Sequence, residues 1–177
     1  MNPPAITEYP KTSYFAEYLN FSPSDTLIEE LKKNELFVLN IFESLNDQEL
    51  TFRYEENKWS IKELIGHLAD TEKIFSFRSL SIARGETNAL PGFDENLYVQ
   101  HAQFDSLSAN QLIQYYFANR TATLALIETL DERHLSQMGS ANGQMVSARA
   151  LLWMIAGHEK HHLSVINERY LPLLNKK

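Results

Sequence analysis

Apolar residues recur at three- to four-residue spacing over four long segments of the chain, which is the pattern of amphipathic α-helices. The first segment follows Ser24, a residue that can cap a helix N-terminus, and ends near Asn46. The second opens with Ser60 and Glu63, a capping-box pair, and is predicted to end just before Gly85. Two long helices are therefore predicted in the first half of the chain.

The second half of the chain repeats these signals. Ser108 and Gln111 form another capping-box pair at the start of a third helix. Ser147 can cap a fourth helix, which is predicted to end before Pro172 because proline cannot continue the backbone hydrogen bonds. Residues 85–107 lack sustained periodicity and predict a long crossover loop. Four helices of this kind predict an all-α fold, an up-and-down four-helix bundle with a long crossover.

The segments outside the four helices are predicted to be irregular. Residues 1–23 contain four of the six prolines. A connector with Gly139 and Gly143 separates the third helix from the fourth. The predicted organisation is an N-terminal arm (1–23), one bundle domain (24–172) and a short tail (173–177). The arm is expected to pack its aromatic side chains on the bundle: Tyr9, Tyr14, Phe15, Tyr18 and Phe21.

Composition and charge narrow the function classes. The 177 residues suit one domain with its own core, and a net charge of −7 without a basic run argues against a nucleic-acid partner. The chain has no cationic start followed by an apolar run and no apolar stretch of about 20 residues, which predicts a cytoplasmic protein without a membrane partner. Because cysteine is absent, any thiol chemistry needs an external thiol.

Three of the six histidines fall within five residues of the predicted fourth helix. At about 100° per residue, His158 and His162 lie inside the apolar arc of that helix, whereas His161 lies on its flank. One inward-facing histidine is more often an ordinary core residue. Two stacked imidazoles on a buried face each need a partner, and together they form a clamp for a divalent ion. The arc is defined by Leu151, Ile155 and Ile166.

The same five residues match the H-E-x-x-H signature of zinc proteases, in which Glu159 would be the general base. The context disagrees with this interpretation. The extended protease pattern requires Gly and His downstream, where this chain has Val165 and Glu168. The helical phase also points Glu159 toward a neighbouring helix rather than toward a metal on the histidine face. The protease alternative is therefore disfavoured.

A third ligand must come from upstream of the pair. The candidates are His67, His101 and His134, of which the last two occur in or near predicted loops. His67 lies in the middle of the second helix, on the flank of its apolar stripe. Considered on this helix alone, His67 is better explained as a partly exposed surface residue.

Three short motifs together resemble a known family. They are the Trp59-Ser60 pair, an E-x-x-x-H-L-A-D motif that begins at Glu63, and an H-E-x-H-H-L motif that begins at His158. In order and spacing they resemble the DinB/YfiT-like metalloproteins, and the resemblance covers most of the chain from residue 27 onward. It implies a four-helix bundle with a metal bound by three histidines. By this resemblance the ligands are His67, His158 and His162.

The resemblance also implies a metal-dependent hydrolase or thiol S-transferase acting on a small molecule, often as a homodimer. The ion would be Zn, Ni or Mn, and an open coordination position would activate water or a low-molecular-weight thiol. Glu63 and Glu159 are the predicted catalytic groups near the metal, with Asp70 a further candidate. For any one of these carboxylates, a solvated position on the helix surface is the simpler explanation.

Other candidates are weaker, and another class of function stays open. Arg78 could meet an anionic substrate, and Asp94 lies in a loop that could form a lid, although a surface ion pair and a turn explain them equally well. Trp59 and Trp153 are expected to pack in the core, and the alternative is that either lines a pocket. The alternative function is a non-catalytic bundle that binds a small ligand or partner and keeps a structural or vestigial metal site.

Overall fold

The computed structural model describes residues 1–11, 15–21 and 25–174. The long helices α2, α3, α5 and α7 form a bundle, as predicted. An antiparallel pair of short strands, β1 and β2, precedes α7. In chain order the elements are α1 (Phe15–Tyr18), α2 (Leu27–Ser44), α3 (Ile61–Ala83), α4 (Glu95–Ala102), α5 (Ala109–Glu128), α6 (Glu132–Leu135), β1 (Met138–Ala141), β2 (Gln144–Ser147), α7 (Ala148–Val165) and α8 (Leu171–Leu174).

The starts of the long helices agree with the predicted capping residues. Ser60 caps α3 and Ser108 caps α5, each in a full capping box with the residue three positions later. Ser147 caps α7 through a side-chain hydrogen bond. The N-cap residue of α2 is Thr26, while Ser24, predicted for that role, lies outside the described residues. Local sequence signals therefore define where three of the four helices begin.

The two helices on either side of the crossover run in the same direction. Lys62 Nζ at the start of α3 donates to the Leu107 carbonyl just before α5, at 2.6 Å. At the other end, Arg84 Nη2 donates to Thr129 Oγ1 at 3.2 Å. A parallel pair requires the chain to return along the whole bundle, and the long crossover makes that return.

α2 and α7 run opposite to this pair. Ser79 Oγ near the end of α3 donates to the Ala148 carbonyl at the start of α7, at 2.9 Å. Asp47, just after α2, accepts from the Ala109 N–H at the start of α5, at 3.0 Å. The chain thus alternates direction from α2 to α3 and from α5 to α7. This arrangement leaves α3 packed between α5 and α7, while α2 packs mainly on α7.

The crossover contains secondary structure that the sequence did not predict. Helix α4 begins after Asp94, whose carboxylate accepts two backbone N–H groups of its first turn. Val99 is its only buried residue, so α4 has no apolar stripe by which it could be recognised. The following 3₁₀ turn packs the Phe104 ring on α3 at Gly66, where a Cβ atom would lie 2.4 Å from the ring. Gly66 therefore allows the crossover to lie close against α3.

The connector before α7 is a β-hairpin, which was also not predicted. Ala141 pairs with Gln144, so Asn142 and Gly143 form a two-residue turn. Their φ angles are 50° and 72°, the positive values that a type I′ turn needs and that Asn-Gly favours. The hairpin holds Asn142 in a fixed position at the end of the bundle where α7 begins.

The fourth helix, α7, ends at Val165, before Pro172 as predicted, but the chain stays helical beyond it. After α7 the chain continues through a π-helical turn, Ile166–Tyr170, into α8. Pro172 is the second residue of α8, a first-turn position where the missing N–H costs no helical hydrogen bond. The added turn buries Tyr170, whose hydroxyl donates to the Trp59 carbonyl at 2.7 Å.

The N-terminal arm packs on the bundle, as its aromatic residues suggested. Its helix α1 meets α7 so closely that a Cβ atom at Gly157 would lie 1.8 Å from the Tyr18 carbonyl oxygen. Tyr14 and the predicted boundary at 23/24 lie outside the described residues, so that boundary stays a prediction. The aromatic side chains that pack on the core are Tyr9, Phe15, Tyr18 and Phe21.

The bundle interior is apolar over most of its length. Trp153 is fully buried there, as expected, and its Nε1–H donates to the Asn2 carbonyl at 2.8 Å. Within the described residues, no helix combines the length and apolarity needed to cross a membrane. The polar exceptions in this interior mark the places where function can be sought.

Candidate metal centre

Three histidine side chains meet between α3 and α7. Nε2 of His158 lies 3.1 Å from Nε2 of His67 and 3.1 Å from Nε2 of His162. All three possible ligand atoms lie within 4.8 Å of one another, and no carboxylate of the described residues joins them. The structure thus brings together the three histidines predicted as ligands.

Helix geometry explains why these side chains converge. His158 and His162 are one turn apart on α7, so their side chains leave the helix on the same face. His67 lies opposite them on the antiparallel α3 and is only 4% exposed. Its phase alone suggested a flank position, but α3 is enclosed by α5, α7 and the crossover, so most of its circumference is buried.

Burial lowers the pKa of all three imidazoles. Loss of solvation lowers the pKa of His67 to about 4. Loss of solvation, followed by the proximity of the other histidines, lowers the pKa of His162 to about 3. The pKa of His158 also falls well below its usual range, first because of burial and then because of the nearby His162, His67 and His161. All three rings are therefore neutral near pH 7, the form in which imidazole binds metals.

Neighbouring side chains hold and enclose the cluster. Thr71 Oγ1 lies 3.4 Å from Nδ1 of His67, one turn away on α3, so a contact at Nδ1 leaves Nε2 directed at the cluster. The Trp59 ring lies beside His67, with centroids 4.8 Å apart. The Tyr18 ring meets His158 edge-on at 5.5 Å. The cluster is thus shielded by aromatic rings on two sides.

A cavity of about 330 Å³ opens onto the cluster. This volume is at the lower end of the range for pockets that take small molecules. Trp59 packs against the core, as expected, and it also lines the cavity. The other lining residues besides the three histidines are the aromatic Tyr18, Phe75 and Phe93 and the polar Thr71, Arg78, Glu95 and Asn142.

The two carboxylates predicted as catalytic have structural partners and do not line the cavity. Glu159 is buried, and its carboxylate accepts one hydrogen bond from Arg120 Nη2 at 2.8 Å and another from the Tyr116 hydroxyl. Burial raises the pKa of Glu159, and Arg120 opposes that rise. Glu63 completes the capping box of α3 and pairs with Arg53 at 2.8 Å. The structure therefore brings neither carboxylate to the histidines.

Of the weaker candidates, one lines the cavity and two do not. The Asp70 carboxylate accepts from the Tyr115 hydroxyl at 2.6 Å, and Asp94 caps α4. Burial raises the pKa of Asp70, while the hydrogen bond from Tyr115 opposes that rise. Arg78 is buried and contributes to the cavity wall.

The other histidines lie outside the cluster. His161 is exposed on the flank of α7, as its helical phase predicts. His101 is exposed on α4, and His134 pairs with Asp131 at 2.7 Å. The upstream alternatives to His67 are therefore placed away from the cavity.

Several cavity residues were missed by the sequence reasoning. Thr71 follows His67 by one helical turn, so its position could have been inferred from spacing. Phe93, Glu95 and Asn142 come from the crossover and the hairpin turn. No local periodicity links those segments to the histidines, so only the tertiary structure could place them there.

Comparison with known proteins agrees with this arrangement. A sequence model of one protein family, described as the DinB superfamily, matches residues 31–166. The chain belongs to the DinB superfamily. A relative, OB0413 of Oceanobacillus iheyensis, named as a proposed metal-dependent hydrolase, is 29% identical over 144 residues, which cover 78% of this chain and 82% of the relative.

Two solved structures have a fold similar to that of this DinB-superfamily chain. YfiT from Bacillus subtilis, described as a proposed metal-dependent hydrolase with an unusual four-helix bundle topology, has a TM-score of 0.75 and 18% identity over 96% of this chain and 98% of its own. A mycothiol-dependent maleylpyruvate isomerase has a TM-score of 0.64 and 17% identity over 79% of this chain and 60% of its own.

Proposed function

We propose that this DinB-superfamily protein is a metal-dependent enzyme that acts on a small molecule as a hydrolase or a thiol S-transferase. Its three-histidine centre would hold one divalent ion with a position left open toward the cavity. The observation that carries this proposal is the convergence of His67, His158 and His162 in a cavity wall, all three with lowered pKa values.

The short contacts among the imidazoles fit a metal better than they fit hydrogen bonds alone. Nε2 of His158 has either one proton or one lone pair, yet it lies 3.1 Å from both His67 and His162. It therefore cannot make two good hydrogen bonds at once. Three neutral imidazole nitrogens grouped this closely are instead a donor set that suits zinc or nickel.

The donor set also favours a reactive site over an inert one. A divalent ion held by three neutral histidines keeps its charge, so it would polarise a carbonyl group and lower the pKa of a water or thiol nucleophile. The chain offers no cysteine and, in its described residues, no carboxylate among the ligands. A thiol nucleophile would therefore come from an external low-molecular-weight compound.

The cavity residues support such chemistry by excluding water and orienting the ligands. Trp59 and Tyr18 cover the histidine rings with apolar surface, which strengthens electrostatic interactions in the site. Thr71 holds His67 through Nδ1. The catalytic roles predicted for Glu63 and Glu159 are not part of the proposal, because both carboxylates are engaged elsewhere.

Cobalt substitution tests whether the site is open. The visible spectrum of the cobalt-loaded protein is expected to change when cysteine, another low-molecular-weight thiol or a small anion such as azide is added. A spectrum that responds to none of them would indicate a fourth protein ligand and a structural site. The non-catalytic alternative would then be the better explanation.

A further inference from the structure

The cavity wall includes a cationic residue about 16 Å along α3 from His67, measured as the helix rise over eleven residues. Arg78 lies on α3, eleven residues after His67, and is only 4% exposed. Its guanidinium lines the same cavity as the histidine cluster. A buried arginine keeps its charge because partners hold it, and the five N–H donors of its guanidinium can bind a carboxylate in addition to those partners.

The surroundings of Arg78 hold its guanidinium in place. Nη2 donates to the Pro91 carbonyl at 2.5 Å. The guanidinium carbon lies 5.9 Å from the ring centroid of Phe75 and 5.8 Å from that of Phe93. Asn142 adds an amide nearby, because its side chain lies where a Cβ atom of Gly92, the residue after Pro91, would be. The guanidinium is thus ordered by the crossover and the hairpin.

The Phe75 ring lies close to both the histidines and Arg78. The Phe75 centroid lies 6.2 Å from that of His158 and 5.9 Å from the Arg78 guanidinium carbon. A ligand that reaches from the histidines to Arg78 must therefore pass along an apolar wall. Such a ligand needs a reacting group at one end, an apolar middle and an acceptor for the guanidinium at the other.

We propose that Arg78 binds a terminal carboxylate of the substrate, so that the substrates of this site are elongated small acids that react at the opposite end. This inference rests on the proposed metal-dependent function, since the histidine end supplies the reacting position. Among the described residues that line the cavity, Glu95 is the one with a carboxylate, and this residue is exposed. The ligand carboxylate would therefore be recognised deeper in the cavity, at Arg78.

Thiols anchored at the metal provide a direct probe of this geometry. The cobalt-loaded protein is titrated with mercaptohexanoate and with mercaptohexanol, which differ only in the terminal group. The wild-type protein is expected to bind the acid at least about tenfold more tightly, the usual effect of a hydrogen bond to a charged group. Mercaptoacetate has four methylene groups fewer than mercaptohexanoate, and we expect it to bind the metal without contacting Arg78, so it serves as an internal control.

Variants separate recognition from folding. Arg78→Gln is expected to lose most of the preference for mercaptohexanoate while binding cobalt and mercaptoacetate as before. Arg78→Lys is expected to keep part of the preference. Arg84→Gln removes the same charge from an exposed position on the end of α3 and is expected to change nothing.

The possible results distinguish the two proposals. Equal affinity of the wild-type protein for the acid and the alcohol, or a preference that survives in a folded Arg78→Gln variant, would overturn the role of Arg78 while leaving the metal site intact. A wild-type protein that takes up no cobalt would overturn the proposed metal site, and this inference with it.

Discussion

At the residue scale, the unusual feature is a group of three imidazoles that meet in a largely buried position. In water each ring would take up a proton near pH 6.5. Burial lowers the pKa of His67 to about 4 and that of His162 to about 3. Folding therefore removes solvation from three polar side chains, which costs free energy. Binding of an ion by these side chains is the simplest compensation for that cost.

The histidines are expected to differ sharply in their effect on metal affinity. Because His162 is in the cluster, His162→Ala is expected to weaken binding by more than about 100-fold, beyond the usual effect of removing a residue that only orients a ligand. His161 is exposed and outside the cluster, so His161→Ala is expected to change affinity by less than about threefold. Competition titration with a chelating dye measures both; equal losses would contradict the proposed ligand set.

The lowered pKa values predict how stability depends on pH in the metal-free protein. An unfolded histidine takes up a proton near pH 6.5, whereas folded His67 does so only near pH 4. The unfolded state therefore binds more protons between these values, and stability is lost as the pH falls through this window. From pH 7 to pH 5 the loss is expected to be about 2 kcal/mol for His67.

Urea denaturation at pH 7 and pH 5 measures this loss. The His67→Asn variant has no imidazole at this position, so its free energy of unfolding is expected to fall by about 2 kcal/mol less than that of the wild type over the same range. An identical pH dependence in both proteins would show that His67 is not buried in its neutral form.

The site residues divide according to how local their sequence signals are. His158 and His162 could be predicted because one helical turn and one apolar stripe relate them within a single helix. His67 could not be derived from the phase of α3, since the burial of that helix depends on the crossover packing against it. Glu159 was correctly directed toward a neighbouring helix, although its partner Arg120 could not be foreseen.

At the scale of elements, one buried arginine connects all four long helices. Arg120 of α5 pairs with Glu72 of α3 at 3.1 Å and with Glu159 of α7 at 2.8 Å. Its Nη1 also donates to the Leu31 carbonyl of α2 at 2.8 Å. Glu159 is next to His158 in the chain, so this group of ion pairs fixes the alignment of the two helices that carry the histidines.

Removing Arg120 should therefore cost much more than removing a surface arginine. Arg120→Leu would leave two buried carboxylates without their cation, and the free energy of unfolding is expected to fall by about 3–5 kcal/mol. Arg133→Leu, at a side chain that is 78% exposed, is expected to change it by no more than about 0.5 kcal/mol. Chemical denaturation of the metal-free proteins at pH 7 makes the comparison. Similar small losses would mean that the buried ion pairs do not hold the bundle together.

The predictability of the elements also depends on how local their signals are. α3 and α5 have capping boxes and apolar stripes, so both were predicted closely. The hairpin turn at Asn142 and Gly143 carries a recognisable dipeptide, but its strands are too short to show alternation. α4 and the extension beyond Pro172 are stabilised by packing and by first-turn geometry, neither of which appears in an apolar pattern.

At the scale of the whole molecule, the crossover determines what the bundle can do. By returning the chain along the bundle, it makes α3 and α5 parallel and encloses α3, the helix that carries both His67 and Arg78. The same segment supplies Phe93 and Glu95 to the cavity wall. The cytoplasmic location and the homodimer expected from the sequence stay predictions, as do the small-molecule substrate and the thiol.

Metal stoichiometry is the most direct test of the central claim, that three histidines bind one ion. Protein purified without a histidine tag is stripped with a chelator, reconstituted with zinc, nickel or manganese, and analysed by elemental mass spectrometry after dialysis. The wild-type chain is expected to retain about one equivalent of at least one of these ions. The triple variant His67→Ala, His158→Ala, His162→Ala is expected to retain none. A wild-type chain that retains no ion, or a triple variant that retains as much as the wild type, would contradict the claim.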